Sequence, residues 1–155
     1  MIQRMQSLYL TMVILLSLLF FTGNVLKFAD SSGNAFNLDI SGNLTDKAGK
    51  AFAQVENLWP LTVIIILISL ISIITILLYK NRKVQLLPAI PVIVLAAGFI
   101  FAVSWYAYSL ANSFSFEIIP GFKMVIPVFN LIFSILACRG ILKDERLVKS
   151  YDRLR

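Results

Sequence analysis

The stretch "PLTVIIILISLISIITILLY", Pro60–Tyr79, decides the fold class. It holds 14 Leu, Ile or Val residues and no charge. About 20 such residues are enough for one helix to cross a bilayer. Its many β-branched residues are also common in strands, but its length and its lack of alternation favour a helix. The sequence therefore predicts a membrane helix here, with Pro60 in the first turn, where its missing N–H costs little.

Three more apolar stretches lie on either side of this helix: Ser7–Leu26, Pro88–Leu110 and Gly121–Leu142. The first follows Arg4 and could be read as a signal peptide. Its apolar core is longer than that of a usual signal peptide and no small-x-small cleavage site follows it, so we expect a retained helix. Only 14% of the 155 residues are charged, whereas a soluble domain has about 25%. The predicted fold is all-α, a four-helix transmembrane bundle in one domain, 1–155.

The basic residues predict the orientation of this bundle. With the N-terminus inside, the inside segments hold ten of the 14 Lys and Arg residues, and the outside segments hold four. Three of the eight acidic residues are then inside and five are outside. By the positive-inside rule both termini are cytoplasmic.

Two segments outside the predicted helices carry a pattern of their own. The first external loop, 27–58, alternates Phe36, Leu38 and Ile40 before a Ser-Gly-Asn turn, which is typical of a short β-hairpin. A flexible loop remains the alternative. The tail, 143–155, has Glu145 and Lys149 at helical spacing, and this favours an amphipathic continuation of the fourth helix.

The composition excludes several kinds of chemistry. One cysteine, Cys138, and no histidine rule out an intrachain disulfide, Cys–His catalysis and ordinary zinc sites within one chain. The centres of the four spans carry no ionisable residue, and proton relays and many transporters need one. We therefore expect no enzymatic activity, no catalytic or metal-binding residues and no cofactor. Nucleic-acid binding is not expected either, because the basic tail lacks an aromatic platform.

Polar residues inside the spans are few. Asn130 and Ser134 lie on one face of the fourth helix, and Ser69 and Ser72 lie on the second helix. A ligand or ion contact is one interpretation of Asn130. Hydrogen bonding and close packing between helices is the other, and it is the one that we favour. Cys138 is similarly expected to be a small packing residue rather than a redox or lipidation site.

Three segments resemble a known family. They are the start "MIQRMQSLYL", the turn "LLYKNRKVQL" and the end "CRGILKDERLVKSYDRLR". Together they are similar to small four-helix integral membrane proteins of Bacteroidota that form a domain family of unknown function. This resemblance implies a bacterial inner-membrane location, and it implies that the segments 1–6, 80–85 and 139–155 lie on one face of the bundle. It supplies no catalytic residues.

These observations favour a non-catalytic accessory or scaffold subunit of an inner-membrane assembly, which docks an integral membrane protein and anionic lipid head groups through its basic cytoplasmic face. The alternative is a small-solute or lipid transporter that acts as an oligomer around Asn130. A membrane enzyme acting on lipid or quinone is a third reading and lacks a visible catalytic group. The predicted contact residues are Arg4, Arg82, Lys83, Arg139, Lys143, Arg146, Tyr151, Arg153 and Arg155.

Overall fold

The computed structural model describes the backbone of residues 3–30, 34–46, 50–54, 58–80, 82–114 and 116–153, and the side chains of 5–30, 34–46, 50, 58–79, 84–114 and 116–146. In these residues the chain forms four α-helices and five β-strands. In chain order they are α1 (Gln3–Phe21), β1 (Asn24–Ala29), β2 (Ala35–Asp39), β3 (Asn43–Asp46), β4 (Ala51–Gln54), α2 (Trp59–Leu77), α3 (Arg82–Phe114), β5 (Glu117–Ile119) and α4 (Ile126–Arg153). Short 3₁₀ turns at Leu78–Lys80 and Phe122–Val125 precede α3 and α4.

The four helices pack in a ring. α1 contacts α2 and α4, and α3 contacts the same two helices. Neighbours in the ring run in opposite directions, so the bundle has two distinct ends. We call them the sheet end, where α1 and α3 finish beside the strands, and the termini end, where α1 and α3 begin and α2 and α4 finish.

The first helix is shorter than the predicted span 7–26, because it ends at Phe21. Gly23 adopts a φ of 72°, a left-handed conformation that commonly follows the end of a helix. The Lys123 ammonium donates to the carbonyl of Phe20 at 3.3 Å and also to that of Thr22, so these carbonyls at the end of α1 have a cationic partner. The apolar residues after Gly23 that the sequence assigned to the helix form β1 instead.

The third helix is longer than the predicted span 88–110 and contains both Pro88 and Pro91. Each proline lacks the N–H that would bond the carbonyl four residues earlier. Prolines are nevertheless tolerated in membrane helices, because other groups can satisfy the freed carbonyls. Both prolines therefore lie within the third helix, which begins at Arg82.

The fourth helix continues without a break from Ile126 to Arg153. The predicted helical continuation of the tail is thus present as far as the described backbone extends. Its start differs from the predicted 121, because Phe122–Val125 form a 3₁₀ turn. The second helix, Trp59–Leu77, differs from the predicted 60–79 by one or two residues, which is the usual uncertainty of helix ends.

The predicted β-hairpin is part of a larger sheet. β2 and β3 pair in antiparallel fashion, and Gly42, with a φ of 83°, lies in the turn between them. β4 extends this meander on one side, and β1 and then β5 extend it on the other, in the order β4-β3-β2-β1-β5. An all-α fold is therefore not a complete description. The loop predicted at 27–58 contributes β2, β3, β4 and the second half of β1, and the α3–α4 connection contributes β5.

Aromatic side chains join the sheet to the bundle. Phe36 on β2 stacks on Phe116 with ring centroids 5.0 Å apart, and Phe116 also contacts Phe28 on β1 and Phe114 at the end of α3. Deeper in the bundle, Phe20 meets Phe99 edge-on at 5.0 Å. One continuous apolar core therefore includes both the sheet and the helices.

The outer surface of the helices is largely apolar, with exposed residues such as Leu15, Ile66 and Val94. In the described part of the chain, three helices are long and apolar enough to cross a membrane: Trp59–Leu77, Val84–Phe114 and Phe122–Arg146. The apolar part of α1, Met5–Phe21, is shorter. These features indicate a membrane protein, with three helices of spanning length among the described residues.

Candidate functional site: the polar termini end

Three of the predicted contact residues form a basic strip on α4. Arg139, Lys143 and Arg146 are all exposed, and their spacing of four and three residues places them on one face of the helix. The remaining predicted contacts are Arg4, Arg82, Lys83, Tyr151, Arg153 and Arg155, whose side chains lie outside the described residues. The backbone places Arg4 in α1, Arg82 and Lys83 at the start of α3, and Tyr151 and Arg153 in α4, so the topology brings these five to the same end of the bundle as the strip.

The opposite side of α4 is held to α1 by a buried polar pair. The side-chain amide of Gln6 donates to a carboxylate oxygen of Asp144 at 2.5 Å. Gln6 is only 5% exposed and Asp144 only 3%. Hydrogen bonds to a charged group are stronger than neutral ones, and buried groups lose more when such a bond is broken. The sequence analysis counted Asp144 only among the acidic residues on the inside, whereas the structure buries it between two helices.

A glycine makes room for this pair. A Cβ added at Gly140, one turn before Asp144 on α4, would lie 2.9 Å from the Cγ atom of Gln6. Carbon atoms of real side chains essentially never approach that closely. Gly140 therefore permits the close approach of α1 that places Gln6 against Asp144.

A second polar pair joins α2 and α3 at the same end. The side-chain amide of Gln85 donates to the backbone carbonyl of Thr75 at 3.1 Å, and both residues are buried. Each of the four helices thus contributes one buried polar residue at the termini end. One turn away on α2, the hydroxyl of Ser72 is buried and has no hydrogen-bond partner among the described residues.

The predicted intramembrane polar residues make mostly local contacts. Ser69 donates to the carbonyl of Ile65 at 3.0 Å, and Ser134 donates to that of Asn130 at 2.6 Å, in each case within its own helix. Asn130 reaches another helix: its amide donates to the Ser17 hydroxyl of α1 at 3.3 Å. Its side-chain oxygen has no partner within the described part of the chain.

Cys138 contacts apolar neighbours. It is buried on α4 in a small cluster with Ala89 and Ile141. Among the residues that the structure describes, no three Cys, Asp or Glu side chains come together as a metal site would require.

The sequence reading did not identify Gln6, Ser17, Gln85 or Gly140. A glutamine near a span end looks like an interfacial residue, and a single serine in a span is unremarkable. The periodicity of α4 does place Gly140 and Asp144 one turn apart on one face. That spacing was the available signal, but the facing residue 138 positions earlier is not visible in the sequence.

The fold and this site define a class: a membrane protein of four packed helices whose one end is closed by a five-stranded antiparallel sheet. A family model described as a domain of unknown function, DUF4293, matches residues 2–154. The chain belongs to this family, so the predicted membership in a family of unknown function is confirmed. No curated protein and no solved structure matches the chain.

Proposed function

We propose that the protein is a non-catalytic accessory or scaffold subunit of a bacterial inner-membrane assembly, and that it docks a partner membrane protein through the basic strip of α4. In this proposal both termini are cytoplasmic, as the distribution of Lys and Arg favours. The protein needs no cofactor in this role. A source in Bacteroidota fits the resemblance of its cytoplasmic segments.

The length and attachment of α4 carry the proposal. Its 28 residues span about 42 Å, whereas the hydrocarbon core of a bilayer is about 30 Å thick. Gln6 of α1 faces Asp144, and α4 runs on to Arg153, so it continues for about two and a half turns beyond this contact. Arg139, Lys143 and Arg146 are exposed on a helix whose other side is fixed to α1, so they form a rigid, accessible surface.

The charge of this surface limits its partners. Each basic residue near the membrane surface contributes about 1 kcal/mol to the attraction of anionic lipid head groups. Arg is also common at protein interfaces, where its guanidinium pairs with carboxylates in two parallel bonds. An acidic cytoplasmic segment of another membrane protein fits both the geometry and the charge of the strip.

Affinity purification tests this proposal. A tag inserted between Asp30 and Asn34, which lie at the sheet end, leaves both termini unmodified, and the protein is extracted in mild detergent. We expect a stoichiometric companion that is lost from the triple variant Arg139→Gln/Lys143→Gln/Arg146→Gln. The matched control is Lys27→Gln/Lys50→Gln, which removes exposed basic residues at the sheet end. Equal recovery of the companion by the triple variant and the wild type, at equal amounts of inserted protein, would refute the docking role.

The side-chain oxygen of Asn130 has no hydrogen-bond partner among the described residues. This favours one alternative, a small-solute or lipid transporter. A buried acceptor without a donor is costly, and a transported solute with an N–H or O–H group would satisfy it. Purified protein in liposomes tests this reading: Asn130→Leu would abolish solute flux in a transporter. Flux that is unchanged in Asn130→Leu, or absent in both proteins, contradicts it.

A further inference from the structure

A cleft opens at the sheet end, away from the site described above. It has a volume of about 310 Å³ and lies between the start of β1 and the turn that leads into α4. Its lining residues are Asn24, Val25, Lys27, Gly121, Phe122 and Lys123. Two of these six are lysines and none is acidic, so the lining is cationic.

The two lysines differ in how firmly they are held. Lys123 is fixed by the carbonyls of Phe20 and Thr22 at the end of α1. An ammonium has three donors, so one remains for a ligand. Lys27 is exposed on β1 and is free to close over a bound anion. Asp39 does not line the cleft, but it interacts electrostatically with Lys123, so one neighbouring carboxylate offsets one of the two lysine charges. A ligand with a single negative charge balances the other.

Apolar surface continues from the cleft along α4. Phe122 at its rim is 72% exposed, and Val125 and Phe129, three and seven residues further on, are exposed as well. Phe122 and Val125 are three residues apart in the 3₁₀ turn, and Phe129 follows four residues later in the first turn of α4. This spacing puts the three side chains on one side. Phe122 is also the first residue of the apolar stretch that ends at Arg146. The cleft thus lies at one end of this apolar stretch, and an apolar track leads from it along α4.

We propose that this cleft binds the phosphodiester head group of an anionic phospholipid, with the acyl chains along Phe122, Val125 and Phe129. A phosphodiester carries one negative charge, which matches the cleft. A head group without an ammonium avoids repulsion by Lys27 and Lys123. The inference depends on the insertion of α4 in a membrane and not on the docking role proposed for the other end. In the proposed topology the lipid belongs to the outer leaflet.

Native mass spectrometry of the delipidated full-length protein in detergent provides the test, with dioleoylphosphatidylglycerol and dioleoylphosphatidylcholine as probes. We expect one phosphatidylglycerol per chain, bound about fivefold more tightly than phosphatidylcholine, as one basic residue near an anionic lipid can produce. Equal affinities for the two lipids would overturn the proposal. Displacement of phosphatidylglycerol by millimolar glycerol 3-phosphate would assign the cleft to soluble phosphate compounds and overturn the lipid assignment.

Lysine variants locate the site. Lys27→Gln is expected to weaken phosphatidylglycerol binding about fivefold, and Lys27→Arg is expected to retain it. Lys50→Gln is the matched control, because Lys50 is exposed at the same end but does not line the cleft. An equal loss in the Lys27→Gln and Lys50→Gln proteins would mean that general surface charge attracts the lipid, and the cleft would then not be a site. The retained binding of Lys27→Arg separates loss of charge from loss of fold.

Discussion

Gly140→Ala tests the packing of α1 on α4 directly. The new Cβ would lie 2.9 Å from the Cγ atom of Gln6 and 3.7 Å from both its Cδ and Nε2 atoms, so the side chain must move and its bond to Asp144 is lost. A hydrogen bond to a charged group is worth about 1.5–3 kcal/mol. Alanine has a higher helix propensity than glycine, and this stabilises the helix by about 1 kcal/mol. The net expectation is a loss of about 0.5–2 kcal/mol in the free energy of unfolding.

Whether Gly140→Ala lowers or raises the free energy of unfolding depends on Gln6, so the substitution is tested with and without that side chain. Unfolding is followed by far-UV circular dichroism as sodium dodecyl sulfate is titrated into mixed micelles. A Gln6→Ala background lacks the three atoms that lie nearest to the new Cβ, so Gly140→Ala should there stabilise the protein by up to about 1 kcal/mol. Gly98→Ala is the control, since a Cβ there meets no atom within 4 Å. If Gly140→Ala destabilises equally with and without Gln6, the proposed steric link between the two residues is wrong.

Three further substitutions have defined outcomes in the same titration or by hydrogen exchange. Asn130→Leu removes one interhelical bond of about 0.6 kcal/mol and an oxygen that has no partner in the described part of the chain. We expect the free energy of unfolding to change by no more than about 1 kcal/mol, and a loss above about 2 kcal/mol would reveal further partners. Ser72→Ala removes a buried hydroxyl without a partner among the described residues, so stability should stay equal or rise by up to about 1 kcal/mol, and a clear loss would contradict the assignment. Lys123→Met removes the cation at the end of α1, and amide exchange at residues 20–23 should accelerate; unchanged exchange would show that the cap contributes nothing.

Long apolar runs made the helices predictable, because a bilayer requires about 20 apolar residues in sequence. The β2–β3 hairpin was equally readable, since alternation and a Gly-containing turn are local signals. β1 could not be predicted, because Val25 and Leu26 continue the apolar pattern of the first span. Only the structure shows that the helix ends before Gly23. β4 and β5 have four and three residues. Strands so short are defined by their pairing partners, and β5 pairs with β1 about 90 residues away.

The polar contacts between helices were hidden for a related reason. Local periodicity tells which residues share a face, but not which residue of another helix lies opposite. Asp144 stands among the charges of the tail, so its sequence context is that of a solvated residue. Only the antiparallel packing of α1 on α4 shows that it is buried against Gln6.

The two ends of the bundle are held by different means, and the difference bears on function. At the sheet end, α1 and α3 lead directly into β1 and β5, which pair with each other. At the termini end, polar pairs such as Gln6–Asp144 hold neighbouring helices together. The direction of the basic strip on α4 therefore depends on Gln6 and Gly140. Gly140→Ala should consequently reduce recovery of the docked partner although no charge changes, while Gly98→Ala should leave it intact. Full recovery in a Gly140→Ala protein that is measurably destabilised would mean that the partner binds the strip whatever its orientation, as a flexible electrostatic contact would.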